Sequence, residues 1–376
     1  LVWMFNGKRK KESNWILTLI LLSLKVLIVT VNINKLTKDK NMSAEYVENV
    51  DAIAGTAQAW HGKSEVYPVI SLNDKATNPL ARWDVEETKL CLPSGKDTGF
   101  RLLQTTDGFP VGLPFADSYT VFTNKAFLNL VEKLCHEFDK AGVKWAITSS
   151  GSVRGRNLTF LSIRIEESAS FKVDGREFQN FLSVLNSFDK SCRVTVKDSS
   201  ICVVCSNTFH AVLSDDEGAM SVNVTHKKNM LSAIADVPKM LQAAITGRAK
   251  LLSTLKNWAS IPCGLTDAEN IFAAFIGKGE DKAELSTRSA NIVDRLAYLF
   301  AKGKGNKGQT ALDLFQAATE YYTHESAGKS ENPMKQLESS DFGNGAERKL
   351  EFFQTLIDLS ESSAKFQGFA RIGETI

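Results

Sequence analysis

Glu320 and His324 stand four residues apart, with two tyrosines between them, in a stretch whose apolar spacing predicts a helix. Side chains four apart meet on one helix face, so a carboxyl group and an imidazole placed this way can act as an acid–base pair or bind a metal ion. The same spacing is typical of an ordinary hydrogen-bonded pair at a helix end. Asp189 and His61 are the other two candidates for catalysis, and no cofactor is indicated.

A glycine- and arginine-rich segment, residues 151–156, joins two predicted strands. Its glycines permit the close approach of a ligand, and the guanidinium groups of Arg154 and Arg156 are suited to bidentate hydrogen bonds with phosphate. A polar hairpin loop has the same composition. The sequence leaves both interpretations open.

Residues 303–310 nearly match the phosphate-binding pattern G-x-x-x-x-G-K-[ST]. Gln309 stands where the pattern requires lysine, and the preceding stretch predicts a helix where the pattern requires a strand. Both departures argue against an ATP site. The segment instead predicts an inter-helix loop in which Thr310 caps the next helix and Asp313 completes a capping-box-like start.

Three lysines, Lys302, Lys304 and Lys307, lie in or beside this predicted loop. Ammonium groups next to a helix N-terminus, with its N–H donors and positive dipole end, can hold a phosphate of a nucleic-acid backbone. A solvated loop without a ligand is the alternative. We therefore group these lysines with the two arginines as a predicted nucleic-acid-binding set.

Cys202 and Cys205 form a C-x-x-C pair, and His210 follows five residues later. A zinc site needs a second such pair, and none stands at suitable spacing. The two valines between the cysteines favour a strand, in which residues three apart face opposite sides. We predict buried thiols and no metal site. Free thiols in apolar stretches are typical of a reducing compartment, which favours the cytoplasm of a host cell.

Short β-like runs separated by turn residues dominate the chain up to about residue 225. They are predicted at residues 66–70, 99–105, 118–122, 144–149, 157–165, 193–197, 200–206 and 220–225. A helix interrupts them, with Asn124 as its predicted N-cap and Gly142 at its end. The stretch 178–188 fits a helix or a strand.

Helical periodicity takes over after residue 225. Helices are predicted at residues 230–255, 267–276, 286–301, 311–324 and 346–360. Strands first and helices afterwards indicate an α+β protein, with an antiparallel β-rich portion at 42–225 and a helical portion at 226–376 packed on it as one domain.

The charge of the chain is divided unevenly. The whole sequence has 45 basic and 43 acidic residues, a formal net charge of +2. Residues 1–41 hold eight of the basic residues and two of the acidic ones, so the remainder carries a net charge of −4. The mildly basic total therefore gives no general support for nucleic-acid binding, which must depend on local clusters.

The same leader contains an apolar run at residues 15–31, interrupted by Lys25. This run is at the lower limit for a membrane span, which needs about 20 apolar residues. The leader is a stretch upstream of the true start at Met42, a membrane anchor, or a cleaved signal. We expect the first of these, and each of the three places residues 1–41 outside the fold.

Several short motifs together resemble the phage- and plasmid-type family known as domain of unknown function 932, over residues of about 60–360. Any one motif is weak, but their order along the chain is specific. The matching residues are Trp60, His61, Gly62, Gly151, Gly155, Cys205, Asn207, Thr208, Tyr322, His324, Phe342, Gly343, Gly345 and Lys349.

This chain departs from the family pattern at two places. Cys202 stands where the family usually carries an arginine, so a phosphate-binding role for that arginine does not carry over. The family's His-Asp-Gly-Ser stretch reads Phe-Asp-Lys-Ser at residues 188–191, which removes the histidine beside Asp189 and weakens a catalytic role for it. The resemblance implies a phage, prophage or plasmid setting and DNA metabolism of mobile elements, and it implies no settled activity.

We therefore predict a non-enzymatic protein that binds or anneals single-stranded DNA in replication or recombination. The two arginines and three lysines would hold phosphates, and Trp145 would stack on bases. Expected partners are single-stranded DNA, further copies of the chain, and phage or host replication or recombination proteins, with a membrane as a partner only if the leader is real. The alternatives are an enzyme acting on nucleic acid or a host molecule, and a protein-interaction or counter-defence factor with an exposed apolar patch.

Overall fold

The computed structural model describes residues 46–48, 51–55, 70–116, 118–165, 171–202, 207–209, 221–278, 285–326 and 332–361. These residues belong to one compact unit, Met42–Ile376. The predicted leader lies outside the described residues, as do the predicted strand positions 66–69. The same holds for four residues of the family motifs: Trp60, His61, Gly62 and Cys205.

Strands dominate the first half of the described chain, interrupted by helix α1 at Asn124–Lys140 and a single 3-10 turn at Pro79–Ala81. They are β1 Tyr46–Glu48, β2 Ala52–Gly55, β3 Val85–Cys91, β4 Asp97–Thr105, β5 Pro110–Phe115, β6 Trp145–Val153, β7 Leu158–Ile165, β8 Phe171–Val173, β9 Arg176–Ser187, β10 Val194–Cys202, β11 Asn207–Phe209 and β12 Ser221–Val224.

Helices make up the second half, and the predicted α+β class is confirmed. They are α2 Met230–Ile234, α3 Val237–Ser260, α4 Leu265–Gly277, α5 Thr287–Lys302, α6 Ala311–Glu320, α7 Pro333–Leu337 and α8 Asn344–Glu361. Two short π-helical segments, Tyr321–Glu325 and Glu338–Phe342, directly follow α6 and α7.

The described strands form two antiparallel sheets. The larger sheet has the order β1-β2-β6-β7-β9-β10-β11, with β12 also paired to β10 and β8 also paired to β9. The smaller sheet has the order β3-β4-β5. Its inner residues Leu103, Val111 and Phe115 join the core of the larger sheet, so the two sheets share one hydrophobic core.

Helix α1 covers one face of the larger sheet because its apolar residues recur at three- and four-residue spacing. The helix buries Phe127, Leu130, Val131, Leu134 and Phe138. The sheet supplies Leu161, Ile163, Leu182, Val184 and Val196 from alternating positions of its central strands. The N-cap is Thr123 rather than the predicted Asn124, since Thr123 Oγ1 accepts a hydrogen bond from Ala126 N at 3.2 Å.

The helical half has its own aromatic core. Trp258 of α3 is fully buried and its ring lies 5.3 Å from that of Phe315 and 5.1 Å from that of Phe353. Phe178 of β9 belongs to the same cluster, so this core continues onto the sheet. The helices and the sheet are therefore held together by continuous apolar packing.

The opposite face of the larger sheet, at the β6–β7 end, is covered by α7 and the second π-helical segment. Val153, Leu158 and Phe160 are buried there against Met334, Leu337 and Phe342. The Phe160 and Phe342 rings lie 4.9 Å apart. This contact joins the turn between β6 and β7 to the helical half.

The predicted strand at 118–122 is wrong, because the polar groups of that segment bond outside a sheet. Thr120 N donates to the His226 carbonyl at 3.1 Å, and the Tyr119 hydroxyl donates to the Ser187 carbonyl at 3.4 Å. The segment therefore crosses the ends of β9 and β12 and places Tyr119 beside them.

Other predicted elements differ in their boundaries. The described parts of the predicted strands 193–197 and 200–206 belong to one strand, β10, which pairs with three neighbours and so needs no break. Residues 203–206 lie outside the described residues. The predicted helix 230–255 divides into α2 and α3. The ambiguous stretch 178–188 is strand β9, since it pairs on both sides within the sheet.

No helix among the described residues has the length and apolar character that crossing a membrane requires.

Candidate nucleic-acid interface

Arg156 lies in the turn between β6 and β7, and its guanidinium group is held by the protein itself. Its Nε donates to Asp51 Oδ1 at 2.9 Å, and its Nη1 donates to both carboxylate oxygens of Asp107 at 2.7 and 2.8 Å. The same group lies over the Trp83 ring, 5.2 Å from its centroid. A phosphate would have to displace two carboxylates, so the geometry gives Arg156 a structural role in linking Asp51 and Asp107.

Arg154 is held in a similar way on the other side of the turn. One Nη donates to the Phe342 carbonyl, and the guanidinium Nε lies 3.7 Å from Glu338 Oε1. Both acceptors belong to the second π-helical segment. Arg154 therefore fastens the β6–β7 turn to the helical half.

The loop at 303–310 closes on an internal carboxylate. Asp313 is fully buried, and its side chain accepts hydrogen bonds from Lys307 N at 3.1 Å, Gln309 N at 2.9 Å and Thr310 N at 3.1 Å. Arg176 of β9 also donates to this carboxylate and is itself buried. The carboxylate occupies the N–H donors that a phosphate would use, and it completes the predicted capping box.

The three lysines of this loop are exposed, but they do not form one anion site. Lys307 Nζ pairs with Asp174 Oδ1 at 2.8 Å. Lys304 donates its backbone N–H to Glu320 Oε2 at 3.2 Å, so a second carboxylate lies under the loop. Lys302 ends α5.

Trp145 begins β6 and packs against the main core. Its Nε1 donates to Asp139 Oδ1 at 2.8 Å, which fixes the indole at the end of α1. The structure places Trp145, the arginine pair and the lysine loop on different elements. It describes no hydrogen bond or ion pair that joins these three groups.

The three candidate catalytic residues that the structure describes come from two separate parts of the fold. Glu320 and His324 follow each other on α6 and the first π-helical segment, and burial raises the pKa of Glu320 to about 7. Asp189 lies in the β9–β10 turn, where Oδ1 accepts from Ser191 N at 2.9 Å. His61 lies outside the described residues.

Gly151, a residue of the family motifs, is required by the contact between β2 and β6. Its φ is +156°, and a Cβ there would lie 2.4 Å from Ala52 Cα. A larger side chain would separate the two paired strands. Gly155 has a φ of +61° in the turn that orients the two arginines. Gly151 thus permits the close approach of two strands, and Gly155 permits the shape of the turn.

The remaining family residues meet at the two π-helical segments, which contact each other and strand β11. Strand β11 carries Asn207 and Thr208. A Cβ on Gly345 would lie 2.8 Å from the Tyr322 carbonyl, so glycine permits the approach of α8 to the first segment. Gly343 ends the second segment. Residues spread over about 140 positions of sequence thus form one junction.

Two buried lysines lie at this junction, and sequence reasoning missed Lys197. Lys197 of β10 is 5% exposed and Lys349 of α8 is 1% exposed. Lys349 Nζ donates to Thr323 Oγ1 at 3.2 Å, and the charge of Asp341 acts on both amines. Burial lowers the pKa of each amine to about 8. The junction is a buried polar layer between the sheet and the helices.

A cleft of about 520 Å³ lies at the end of strands β9, β10 and β12, and we call it the strand-end cleft. Three basic side chains line it, Lys190, Arg193 and Lys227, and all three are exposed. None of the described lining residues is acidic. The strand-end cleft is therefore a concave, cationic surface that can accept phosphates.

An aromatic pair forms one wall of the strand-end cleft. The Tyr119 and His226 rings stack with centroids 4.8 Å apart, and Lys190 Nζ lies 6.0 Å from the Tyr119 centroid. His226 Nδ1 lies 3.1 Å from the Thr120 carbonyl. Such a wall can stack with a nucleic-acid base.

Burial keeps the other ionisable groups of this wall uncharged near neutral pH. It raises the pKa of Tyr119 above its ordinary value, raises that of Cys192 to about 11, and lowers that of His226. A tyrosinate or a thiolate would oppose a phosphate. The charged groups in the described lining of the strand-end cleft are therefore its two lysines and its arginine. The charge of Asp189, in the β9–β10 turn, also acts on Tyr119 and Cys192 and helps to raise the pKa of each.

Sequence reasoning did not find this cleft, because its residues come from three separate segments. Tyr119 stands before α1, residues 190–193 form the β9–β10 turn, and residues 226–227 follow β12. The first segment has no basic residue, and each of the other two contributes only one or two lysines or arginines to the cleft. The Lys190 that replaces glycine in the family's His-Asp-Gly-Ser stretch was the one local signal.

The architecture identifies an α+β protein whose antiparallel sheet carries a helical half on one side and a cationic cleft at its strand ends. The chain belongs to the family described as domain of unknown function (DUF932), whose model matches residues 115–341. This range is narrower than the 60–360 expected, and it includes the strand-end cleft and most of the π-helical junction. No curated protein and no solved structure matches the chain.

Within the described part of the chain, no group of three or more histidine, cysteine, aspartate or glutamate side chains is placed to hold a metal ion.

Proposed function

We propose that this protein binds single-stranded DNA, without catalysing a reaction on it, as a binding or annealing factor in replication or recombination of mobile elements. The observation that carries the proposal is the strand-end cleft, which combines three exposed cations with a stacked aromatic wall. Single-strand-binding proteins use this combination: cations follow the phosphates, and rings stack on the bases. The mobile-element setting comes from the family resemblance.

The net charge of the chain outside the leader is −4, so binding has to be local. In the strand-end cleft the cations lie together without an acidic lining residue among those described. At the arginine turn and at the lysine loop, the protein's own carboxylates already accept the hydrogen bonds. This contrast favours the cleft over the two segments that sequence alone indicates.

The test is a titration of the full chain into a labelled single-stranded oligonucleotide at several salt concentrations, read by fluorescence anisotropy. The triple variant Lys190→Ala, Arg193→Ala, Lys227→Ala is expected to bind at least about tenfold more weakly at low salt. Its log–log salt slope should be smaller in magnitude by about 2, because each phosphate contact on a single strand contributes roughly 0.7.

The matched control removes three exposed lysines from other surfaces: Lys89, Lys96 and Lys256. This control has the same change in net charge as the cleft variant, and it should keep most of the affinity and the slope. Equal losses in the two variants, or no binding by the unaltered protein at low salt, would contradict the proposal.

A second candidate function, protein interaction, is favoured by exposed apolar side chains on and beside the small sheet. Phe100, Phe109 and Leu113 are 48%, 56% and 56% exposed. Large apolar side chains clustered at a surface are typical of contact sites. If copies of the chain associate through this sheet, Leu113→Glu should lower the mass measured by light scattering at high protein concentration. A monomeric mass for both the unaltered protein and the variant would contradict self-association.

A further inference from the structure

A second cleft of about 520 Å³ lies beside the N-terminus of α1, and we call it the helix-start cleft. Three basic residues line it, Lys75, Arg82 and Lys125, and all three are exposed. One acidic residue, Asp84, also lines it. The described lining therefore carries more positive than negative charge.

The carboxylate of Asp84 already has backbone partners. Asp84 Oδ1 accepts from Val85 N and from Asn124 N, each at 2.8 Å. Its charge is thus directed at the first turn of α1, where the helix dipole stabilises it. Lys75 and Lys125 belong to the lining at other positions of the chain, before Asp84 and after it.

Arg82 shapes the wall of the helix-start cleft. Its Nε donates to the Lys75 carbonyl at 2.8 Å, and its Nη2 donates to the Ala76 carbonyl at 2.9 Å. These two hydrogen bonds hold the loop that carries Lys75 against the cleft.

Trp83 gives an independent indication of a polar ligand. The side chain is 5% exposed and lines the helix-start cleft, and its Nε1 has no hydrogen-bond partner among the described residues. A buried donor without a partner costs about 1–3 kcal/mol. A ligand that brings hydrogen-bond acceptors into this cleft, as a phosphodiester does, supplies the class of partner that this indole lacks.

A ring contact and a short stretch of chain link the two clefts. The Trp83 ring packs edge-on against Phe188, with centroids 6.2 Å apart, and Phe188 stands two residues before Lys190 of the strand-end cleft. Tyr119 lines one cleft, and Lys125, six residues later in the chain, lines the other. Six residues of chain span at most about 20 Å.

We propose that the helix-start cleft is a second phosphate-binding subsite, and that one strand of nucleic acid runs from the strand-end cleft across the 119–125 segment into it. This inference rests on the proposed function and adds a path and a length requirement to it. The ligand class is the phosphodiester backbone of a single strand. A short strand occupies one cleft, and a longer one occupies both.

The experiment compares the full chain with its Lys75→Ala, Lys125→Ala variant on oligonucleotides of about 4 to 16 nucleotides, the range of site sizes of single-strand-binding modules. The variant should match the unaltered protein on the shortest strands. On the longest strands it should bind about tenfold more weakly, with a salt slope smaller in magnitude by about 1.4. Lys89→Ala, Lys96→Ala is the control, since both lysines are exposed on other surfaces.

The outcomes separate this inference from the proposed function. If the Lys75→Ala, Lys125→Ala variant equals the unaltered protein at every length while the cleft triple variant loses binding, the second subsite is overturned and the proposed function stands. If the unaltered protein binds no single strand of any length at low salt, both are overturned. Thermal melting checks that the variants keep the fold. We expect unchanged melting, because both substituted side chains are exposed.

Discussion

The loop at 303–310 and the strand-end cleft both carry three basic residues, yet the protein treats their positive groups differently. In the loop, the buried carboxylate of Asp313 already accepts from three backbone N–H groups, and Glu320 accepts from a fourth. In the strand-end cleft, none of the described lining residues is acidic. Of these two regions, the strand-end cleft is therefore the one whose described lining leaves its positive groups to an external anion.

The largest expected effect comes from opening the loop. Asp313→Asn removes the nearer of two carboxylates that pair with the buried guanidinium of Arg176, since Asp174 Oδ2 lies 3.8 Å from Nη1. Breaking a buried ion pair costs about 3–5 kcal/mol. Urea denaturation measures this loss in the free energy of unfolding. Glu137→Gln, which breaks the exposed Lys140–Glu137 pair, is the control and should cost under about 1 kcal/mol. Equal, small losses would show that the loop is not closed by Asp313.

The next largest effect is expected at the aromatic wall of the strand-end cleft. Tyr119→Ala removes the ring that stacks on His226, and loss of a base-stacking ring weakens single-strand binding by about 1–3 kcal/mol. Tyr119→Phe keeps the ring and should keep most of the affinity. Trp145→Phe should leave anisotropy titrations unchanged, because that indole packs on the core. A larger loss of single-strand affinity from Trp145→Phe than from Tyr119→Ala would instead make Trp145 the base-stacking residue.

The second carboxylate under the loop predicts a pH dependence. Burial raises the pKa of Glu320 from 4.5 to about 7, so the folded state holds a proton that the unfolded state releases between these values. The free energy of unfolding therefore falls as pH rises from about 4.5 to 7. Glu320→Gln should remove this fall and be more stable than the unaltered protein by roughly 1 kcal/mol at pH 8.

Denaturation of the two proteins at pH 4 and pH 8 checks this prediction, since their stabilities should be similar at the lower pH. A Glu320→Gln variant that is less stable at pH 8 would mean that the carboxylate is needed in its charged form.

The smallest expected effect is that of the loop lysines on nucleic-acid binding. The triple variant Lys302→Ala, Lys304→Ala, Lys307→Ala should change single-strand affinity less than about twofold. Its stability should also change little, because the Lys307 side chain is half exposed and its ion pair with Asp174 contributes at most about 1 kcal/mol. Anisotropy titration beside the cleft triple variant measures the difference. A loss from the loop variant as large as that from the cleft variant would remove the distinction between the two regions.

The sequence was sufficient for features that depend on neighbouring residues. The division into strands and then helices, helix α1 and the capping box at Thr310 all follow from local spacing and residue type. The loop also shows where local reasoning stops. A capping carboxylate and a bound phosphate use the same N–H donors, and only the folded geometry shows that Asp313 occupies them.

The strand-end cleft and the buried junction could not be predicted because contacts distant in sequence create them. Tyr119 was placed in a strand, yet hydrogen bonds to residues near the ends of β9 and β12 hold its segment outside the sheet. In the sequence, Lys197 has the character of an ordinary solvent-facing strand residue, but in the folded protein it is buried. Arg154 and Arg156 could be recognised as important from their loop, but their acceptors lie as far away as residue 342.

The most direct test of the central claim is photo-crosslinking of the full chain to a bromodeoxyuridine-substituted single strand, followed by mapping of the modified peptides. We expect adducts on peptides that contain Tyr119 or His226, and their loss in the Tyr119→Ala variant. Adducts confined to residues 302–310, under conditions where the strand is bound, would contradict binding at the strand-end cleft and place the interface at the lysine loop.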